Sequence, residues 1–334
     1  MATSLPAVPP ATPVGLAVIG LGVIGRRMLE QAALVPGLRV RAAWDLDEQA
    51  CQRAQADFPG TVIAPDAQSL VARADVDVVY VGTPPAFHRQ YSLMAAAMGK
   101  RVFCEKPLTA HLDDAHRLVA ELAEHGTPNA VNFVYASAPS ADYLQRRLDA
   151  GDLGPVQSIE MRVFFARWPR DWQASAQWLR AREQGGFVRE VLSHFVYLSI
   201  RLFGDCRLIG SQVAWPDDAS LCERAASAVL NCAGIPVTLS ASAGGTGPDE
   251  VIYTVRGSRG SLRLSNWYEM SESDGQSWRA LEVPSAPYPD QRVAAYQMQL
   301  RNLERFGRGL PHPLPDAALA LRVQSVIEGI LSVR

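Results

Sequence analysis

Along the first 130 or so positions, apolar residues come in short blocks separated by longer stretches where they return every three or four residues. The blocks are "GLAVI" (15–19), "LRVRAAW" (38–44), "DVDVVYVG" (75–82), "RVFC" (101–104) and "PNAVNFVY" (128–135). Their length and β-branched content predict strands buried on both faces. Between them, "RRMLEQAAL", "DEQACQRAQADF", "PAFHRQYSLMAAAMGK" and "LDDAHRLVAELAEHG" carry the helical period, the last closed by Gly126. Strands alternating with helices of this length predict right-handed βαβ units and a doubly wound parallel sheet covered on both faces.

The texture changes after about residue 135. A helix over "SADYLQRRLDAG" leads to a long alternating strand, "VQSIEMRVFF", and then to a loop rich in tryptophan and arginine. An apolar helix follows around "REVLSHFVYLSIRLFG". From 207 to 283 the pattern is mostly period 2, in "RLIGSQVAW", "ASAVLNCA", "IPVTLSASA", "EVIYTVRG" and "GSLRLSNW", and two helices close the chain. These runs predict an α+β domain with a large, mostly antiparallel sheet whose open face is left for solvent or a second subunit. The expected division is a loose leader over 1–12, a dinucleotide-binding domain over 13–128, and a substrate-binding and assembly domain over 129–334.

Composition narrows the classes. The chain has 334 residues, 48% hydrophobic and 20% charged, with a net charge of −2. Nothing in that balance points to nucleic acid or a polybasic membrane anchor, and no apolar run has the length of a membrane span. The proline-rich start "MATSLPAVPPATP" lacks the basic residues of a secretory signal. Five scattered cysteines without a C-x-x-C offer neither a disulfide framework nor a metal site, so the expected setting is a reducing cytoplasm.

Three segments carry candidate chemistry. Gly20, Gly22 and Gly25 form G-x-G-x-x-G between the first strand and first helix. There the glycines permit a tight turn, and the amides around Val23 and Ile24 receive a pyrophosphate, as in a Rossmann domain. Asp45 ends the second strand, where a carboxylate binds a ribose diol and repels a 2′-phosphate, so NAD is expected over NADP. "VGTPPAFH" and "CEKP" end the third and fourth strand blocks, at the sheet edge where such folds bind ligands. Thr83, Pro84, His88, Glu105 and Lys106 are the candidates there; His88 is read either as a site residue or as part of the next helix. Of 32 basic residues only Lys100 and Lys106 are lysine. A lysine's compact ammonium changes its proton affinity readily, whereas arginine stays charged. In "GGFVREVLSH", Glu190 and His194 stand four apart, on one face of a helix, amid apolar neighbours. They suit proton transfer, or a hydrogen-bonded structural pair.

"VIGLGVIGRR", "VYVGTPPAFHRQYSLMAAAMGKRVFCEKPLT" and "GGFVREVLSHFVYLSIRLFG" stand in the order found in the Gfo/Idh/MocA oxidoreductases, and the chain resembles that family over nearly its whole length. The resemblance implies an NAD(P)-dependent enzyme in which Lys106 of E-K-P and His194 are catalytic beside the nicotinamide. It also implies a homodimer or homotetramer built through the open sheet. Glu190 occupies a position where the family's D-x-x-x-H pattern has aspartate. The expected reaction is hydride transfer at a carbinol or carbonyl carbon of a sugar, polyol or sugar acid. His194 takes the hydroxyl proton, Lys106 stabilises the alkoxide and Glu190 orients or relays. Other readings are an NAD-using lyase or glycosidase on the same scaffold and a non-catalytic NAD-binding regulator.

Between 162 and 182 lie five arginines and three tryptophans against one acid, Asp171. Arg167, Trp168, Arg170 and Trp172 are the candidate substrate residues, suited to an anionic group, if this segment walls the pocket rather than forming a solvated loop.

Overall fold

A computed structural model of the chain describes residues 12–332 except 286 and 289; of the expected leader over 1–12, only Thr12 falls among the described residues. The first unit runs β1 (Val14–Ile19), α1 (Val23–Ala32), β2 (Leu38–Trp44), α2 (Glu48–Asp57), β3 (Val62–Ile63), α3 (Ala67–Val71), β4 (Val78–Val81), α4 (His88–Ala97), β5 (Arg101–Glu105), α5 (Leu112–Glu124) and β6 (Asn129–Asn132). All its strand pairs are parallel, in the order β3-β2-β1-β4-β5-β6. Every residue of β1 and β4 is buried, as helices on both faces require. Strand order reverses between β1 and β4, and that switch point opens a crevice at the strands' carboxyl ends.

The second unit holds α6 (Pro139–Asp149), β7 (Val156–Phe165), α7 (Ser193–Phe203), β8 (Cys206–Ala214), β9 (Ala225–Cys232), β10 (Ile235–Ala243), β11 (Glu250–Gly257), β12 (Ser261–Ser265), β13 (Glu269–Ser273) and β14 (Arg279–Leu281). Two helices, α8 (Gln291–Gly307) and α9 (Ala317–Ser332), end the described chain. The eight strands form one sheet, β14-β13-β12-β11-β7-β10-β9-β8, antiparallel throughout except for β7 beside β10. One face buries Ile159, Met161, Val163, Val237 and Leu239; Arg162, Thr238 and Ser240 between them stay exposed. Helices α7 and α9 pack on the covered side, while α8 returns to pack on α1.

Several expectations need correction. Strand β6 pairs with β5, so the parallel sheet extends past the boundary expected at 128/129. It stops at Asn132, because Val134–Ala136 turn as a short 3-10 helix toward the second unit. β3, α3, β13 and β14 escape the sequence reading, since two to five residues are too few to show a period and β13, next to the edge strand β14, is mostly polar. The cysteines are not all free: Cys206 and Cys232 sit directly opposite each other on β8 and β9 and are joined as a disulfide. Twenty-six residues apart in sequence, they are brought together only by strand pairing. Scattered spacing therefore gave no guide to this pairing. No helix among the described residues is long and apolar enough to cross a membrane.

Candidate active site

The glycines at the crevice are there for room. Gly20 ends β1 with φ +98°, and a Cβ on it would meet the Gly82 carbonyl at 2.6 Å, just past β4. A Cβ on Gly25 would strike the Gly20 carbonyl oxygen, so only glycine lets α1 start this close to the strand. At Gly22 a Cβ would meet nothing, and this residue caps α1 with no side-chain hydrogen bond. By contrast, α2, α3 and α8 are capped by Asp47, Asp66 and Asp290. The first amides of α1, at Val23 and Ile24, thus stand uncapped above open space, an arrangement that receives a phosphate. Asp45 follows β2, and its carboxylate accepts the amides of Leu21 (2.6 Å) and Asp47 (2.8 Å). These bonds hold it beside the glycine turn, where a ribose diol would sit. The chain's own residues therefore fit a dinucleotide.

A cavity of about 340 Å³ continues from this crevice into the second unit. Ile24, Gly82, Thr83, Glu105, Lys106, Glu190 and His194 all line it, from α1, the turn after β4, the end of β5 and the turn beyond it, the segment leading into α7 and the first turn of α7. Thr83 Oγ1 is buried there with no partner among the described residues. Pro84 shapes the Thr83–Pro85 turn rather than lining it. His88 is corrected from site residue to clasp: fully buried, its ring nitrogens contact the carbonyls of Thr83 (2.7 Å) and Pro107 (2.8 Å). It ties the two site loops together from behind, and burial lowers its pKa. Glu105 accepts Tyr80 Oη and Asn132 Nδ2, both at 2.6 Å on Oε1. Burial raises its pKa, with Tyr80 and Lys106 opposing.

Lys106 is 7% exposed. Its Nζ donates to the Glu190 carbonyl at 2.8 Å and to the Glu190 carboxylate. The other lysine is structural, with Lys100 Nζ bonded to the carbonyls of Arg73 and Val76. Glu190 lies in a π-helical turn, Val188–Leu192, which runs directly into α7. The expectation that Glu190 orients His194 is corrected here. Its carboxylate goes to Lys106 and to Gln173 Nε2 (3.2 Å), while His194 Nδ1 is buried with no partner among the described residues. The π turn and the longer glutamate side chain together reach across to the lysine instead. His194 is ringed by Phe133, Tyr135 and Trp267, with centroids 5.9 to 6.5 Å away. Burial, then Lys106 and Arg170, hold its pKa well below the usual value, so it is neutral at physiological pH.

The arginine- and tryptophan-rich loop divides. Arg170, Trp172 and Trp178 line the cavity; Arg167 is exposed away from it. Trp168 packs on Phe165 and Phe187 and donates to the Leu179 carbonyl at 3.0 Å, a core role. Sequence reading missed Arg27, Gln173, Asn132, Trp267, Tyr268, Arg292 and Tyr296. These come from α1, β6, two loop segments and α8, and no local spacing links them.

Sheet order, glycine turn and the lysine–carboxylate–imidazole cluster at the switch point define an oxidoreductase with a Rossmann-type nucleotide domain. Residues 14–133 match the family model described as "Oxidoreductase family, NAD-binding Rossmann fold", and residues 142–263 match the "GFO/IDH/MocA C-terminal domain". The chain belongs to the Gfo/Idh/MocA family. A dTDP-3,4-didehydro-2,6-dideoxy-alpha-D-glucose 3-reductase of Streptomyces violaceoruber is 27% identical over 91% of this chain and 90% of its own. An inositol 2-dehydrogenase of Burkholderia multivorans is 38% identical, over 42% of each chain. Among solved structures, an oxidoreductase from Agrobacterium radiobacter, in complex with NAD+, L-tartaric acid and magnesium, superposes with a TM-score of 0.82. At 19% identity over 96% of both chains, it shares the fold.

Proposed function

We propose that the protein is an NAD-dependent dehydrogenase or reductase acting on a CH–OH or carbonyl carbon of a small polar molecule, a sugar, polyol or sugar acid. One observation carries this reading: Lys106, buried and donating, and His194, buried, neutral and with Nδ1 free of any described partner, face one cavity beside the nucleotide crevice. When bound, the dinucleotide supplies the hydride acceptor or donor. In the oxidation direction, His194 accepts the hydroxyl proton. Lys106 donates a hydrogen bond to the same oxygen and stabilises the developing alkoxide. Glu190 holds the ammonium in place through its carboxylate and carbonyl, and the aromatic ring around His194 keeps bulk water away. Asp45 supports NAD over NADP, because its fixed carboxylate repels a 2′-phosphate. The activities named for the sugar reductase and the inositol dehydrogenase support a carbinol substrate.

The test is a substrate screen of polyols, sugars and sugar acids followed by nicotinamide absorbance, then the same assay on variants. Lys106→Arg keeps the charge but not the point donor, and a loss of roughly 10²–10⁴ in kcat is expected, with NAD affinity retained. Wild-type turnover in that variant would remove Lys106 from the chemistry and this mechanism with it.

A further inference from the structure

Four cations line the cavity, Arg27, Lys106, Arg170 and Arg292, against two carboxylates, Glu105 and Glu190. Lys106 is matched by Glu190. None of the three arginines forms an ion pair among the described residues, whereas the buried Arg189 is held bidentately by Glu328. Arg170 is the most informative of the three. Its Nε donates to Gln173 Oε1 at 3.0 Å, and neither Nη bonds any described residue. Four aromatic rings surround the guanidinium: Trp172 at 4.8 Å, Phe165 at 5.0 Å, Trp267 at 5.5 Å and Trp168 at 6.0 Å. Ring faces offset part of the cost of burying a cation and fix the plane of the fork. They leave its outer edge, half-buried at the cavity wall, without a partner among the described residues, and a partly desolvated cation with no direct counterion favours an anion there.

Two further contacts say what would satisfy it. The Trp172 ring lies against both Arg170 and Arg27, the latter at 5.1 Å, so one side chain holds two like charges near each other. An anion placed against them relieves that repulsion. Gln173, 2% exposed, links this edge to the chemistry. Its Oε1 takes Arg170 Nε, its Nε2 donates to Glu190 Oε1 at 3.2 Å, and the Glu190 carboxylate takes Lys106. The guanidinium fork is thus fixed relative to the ammonium by a continuous line of hydrogen bonds. The phosphate-receiving turn, Gly20–Gly25, lies on the opposite unit, so the fork is free of that duty.

Resting on the dehydrogenase reading above, we infer that the substrate is a hydroxy or keto acid whose carboxylate is taken by the Arg170 fork, Gln173 setting the span from that carboxylate to the reacting carbon. A bidentate guanidinium–carboxylate contact gives the orientation that hydride transfer needs.

The test pairs each acid with a neutral molecule of the same carbon skeleton: gluconate with sorbitol, and glucuronate with glucose. Binding to the NAD-loaded protein is read from the fluorescence of the cavity tryptophans, and turnover separately from NADH absorbance. Acids are expected to bind at least about tenfold tighter than their neutral partners. Arg170→Gln is expected to weaken the acids roughly 10–100-fold, and Arg170→Lys to fall between. NAD affinity, measured alone, confirms that each variant is folded. Equal binding of acids and neutral partners by the wild type overturns the inference, and so does an Arg170→Gln protein that loses NAD rather than acid. Acid binding without NADH formation leaves the carboxylate site standing and defeats the dehydrogenase reading. Turnover of neutral compounds with no preference for acids does the reverse.

Discussion

Glu190 shows how one methylene matters at this site. Its side chain spans from a π turn to Lys106 and Gln173 at once, while its carbonyl takes a second bond from the same ammonium. Glu190→Asp, which matches the residue in the D-x-x-x-H pattern, pulls the carboxylate back and leaves a nearly buried ammonium short of its counterion. Removing one partner of a buried pair costs about 3–5 kcal/mol, and the shortened carboxylate is expected to lose part of that. The expected outcome is a fall in kcat of about tenfold or more, with NAD affinity unchanged. Steady-state kinetics showing an unaltered kcat would mean that the contact to Lys106 is incidental. His194 adds a pH signature. A base must be neutral to accept a proton, and this one stays neutral well below the usual histidine range. The acidic limb of kcat/KM for oxidation is therefore expected below pH 6.5, and His194→Asn is expected to abolish it.

At the scale of elements, the π turn Val188–Leu192 is clamped from two sides. Arg189 reaches Glu328 on α9 and the carbonyls of Arg182 and Gly185, while Glu223 Oε1 accepts the Val188 amide at 2.7 Å. Gly186, at φ +97°, lets the chain pass against the Glu223 carboxylate, where a Cβ would collide. Glu223 is 2% exposed, its Oε2 has no partner among the described residues, and burial pushes its pKa up to about 7. The folded carboxyl thus keeps its proton to about pH 7, while the unfolded one releases it near 4.5. Between those values the native state binds the extra proton, so stability contributed by Glu223 is full below pH 4.5, declines as pH rises and is lost by about pH 7. The span corresponds to roughly 3 kcal/mol. Denaturant titrations of Glu223→Gln across that window are expected to lack this decline, whatever their absolute midpoint. A slope identical to the wild type would place the titration elsewhere.

For the whole molecule, α8 and α9 make the two units one site. Tyr296 on α8 accepts Arg27 Nη1 at 2.8 Å from α1, and Gln299 on the same helix donates to Asn132 of β6, which in turn holds Glu105. A ligand in the crevice therefore stabilises the assembled chain, and NAD at 100 times its Kd adds about 2.7 kcal/mol. Melting curves are expected to rise with NAD and less with NADP at equal concentration. Asp45→Asn, which keeps an acceptor for the Leu21 amide but drops the charge, is expected to narrow that difference. Equal shifts with both cofactors in the wild type would refute the role given to Asp45. Much of this was legible in the chain. Period and length gave the main strands and helices, and the glycine spacing and E-K-P placed the nucleotide crevice, because steric room and local hydrogen bonding are decided between near neighbours. What pairs across space was decided only by the fold. The Cys206–Cys232 bond, the turn of Glu190 from His194 toward Lys106, the demotion of Trp168 to the core and the joining of Arg27, Arg170 and Gln173 into one wall all depend on packing between segments far apart in sequence. Burial and contact there belong to the assembled structure, and no spacing along the chain encodes them.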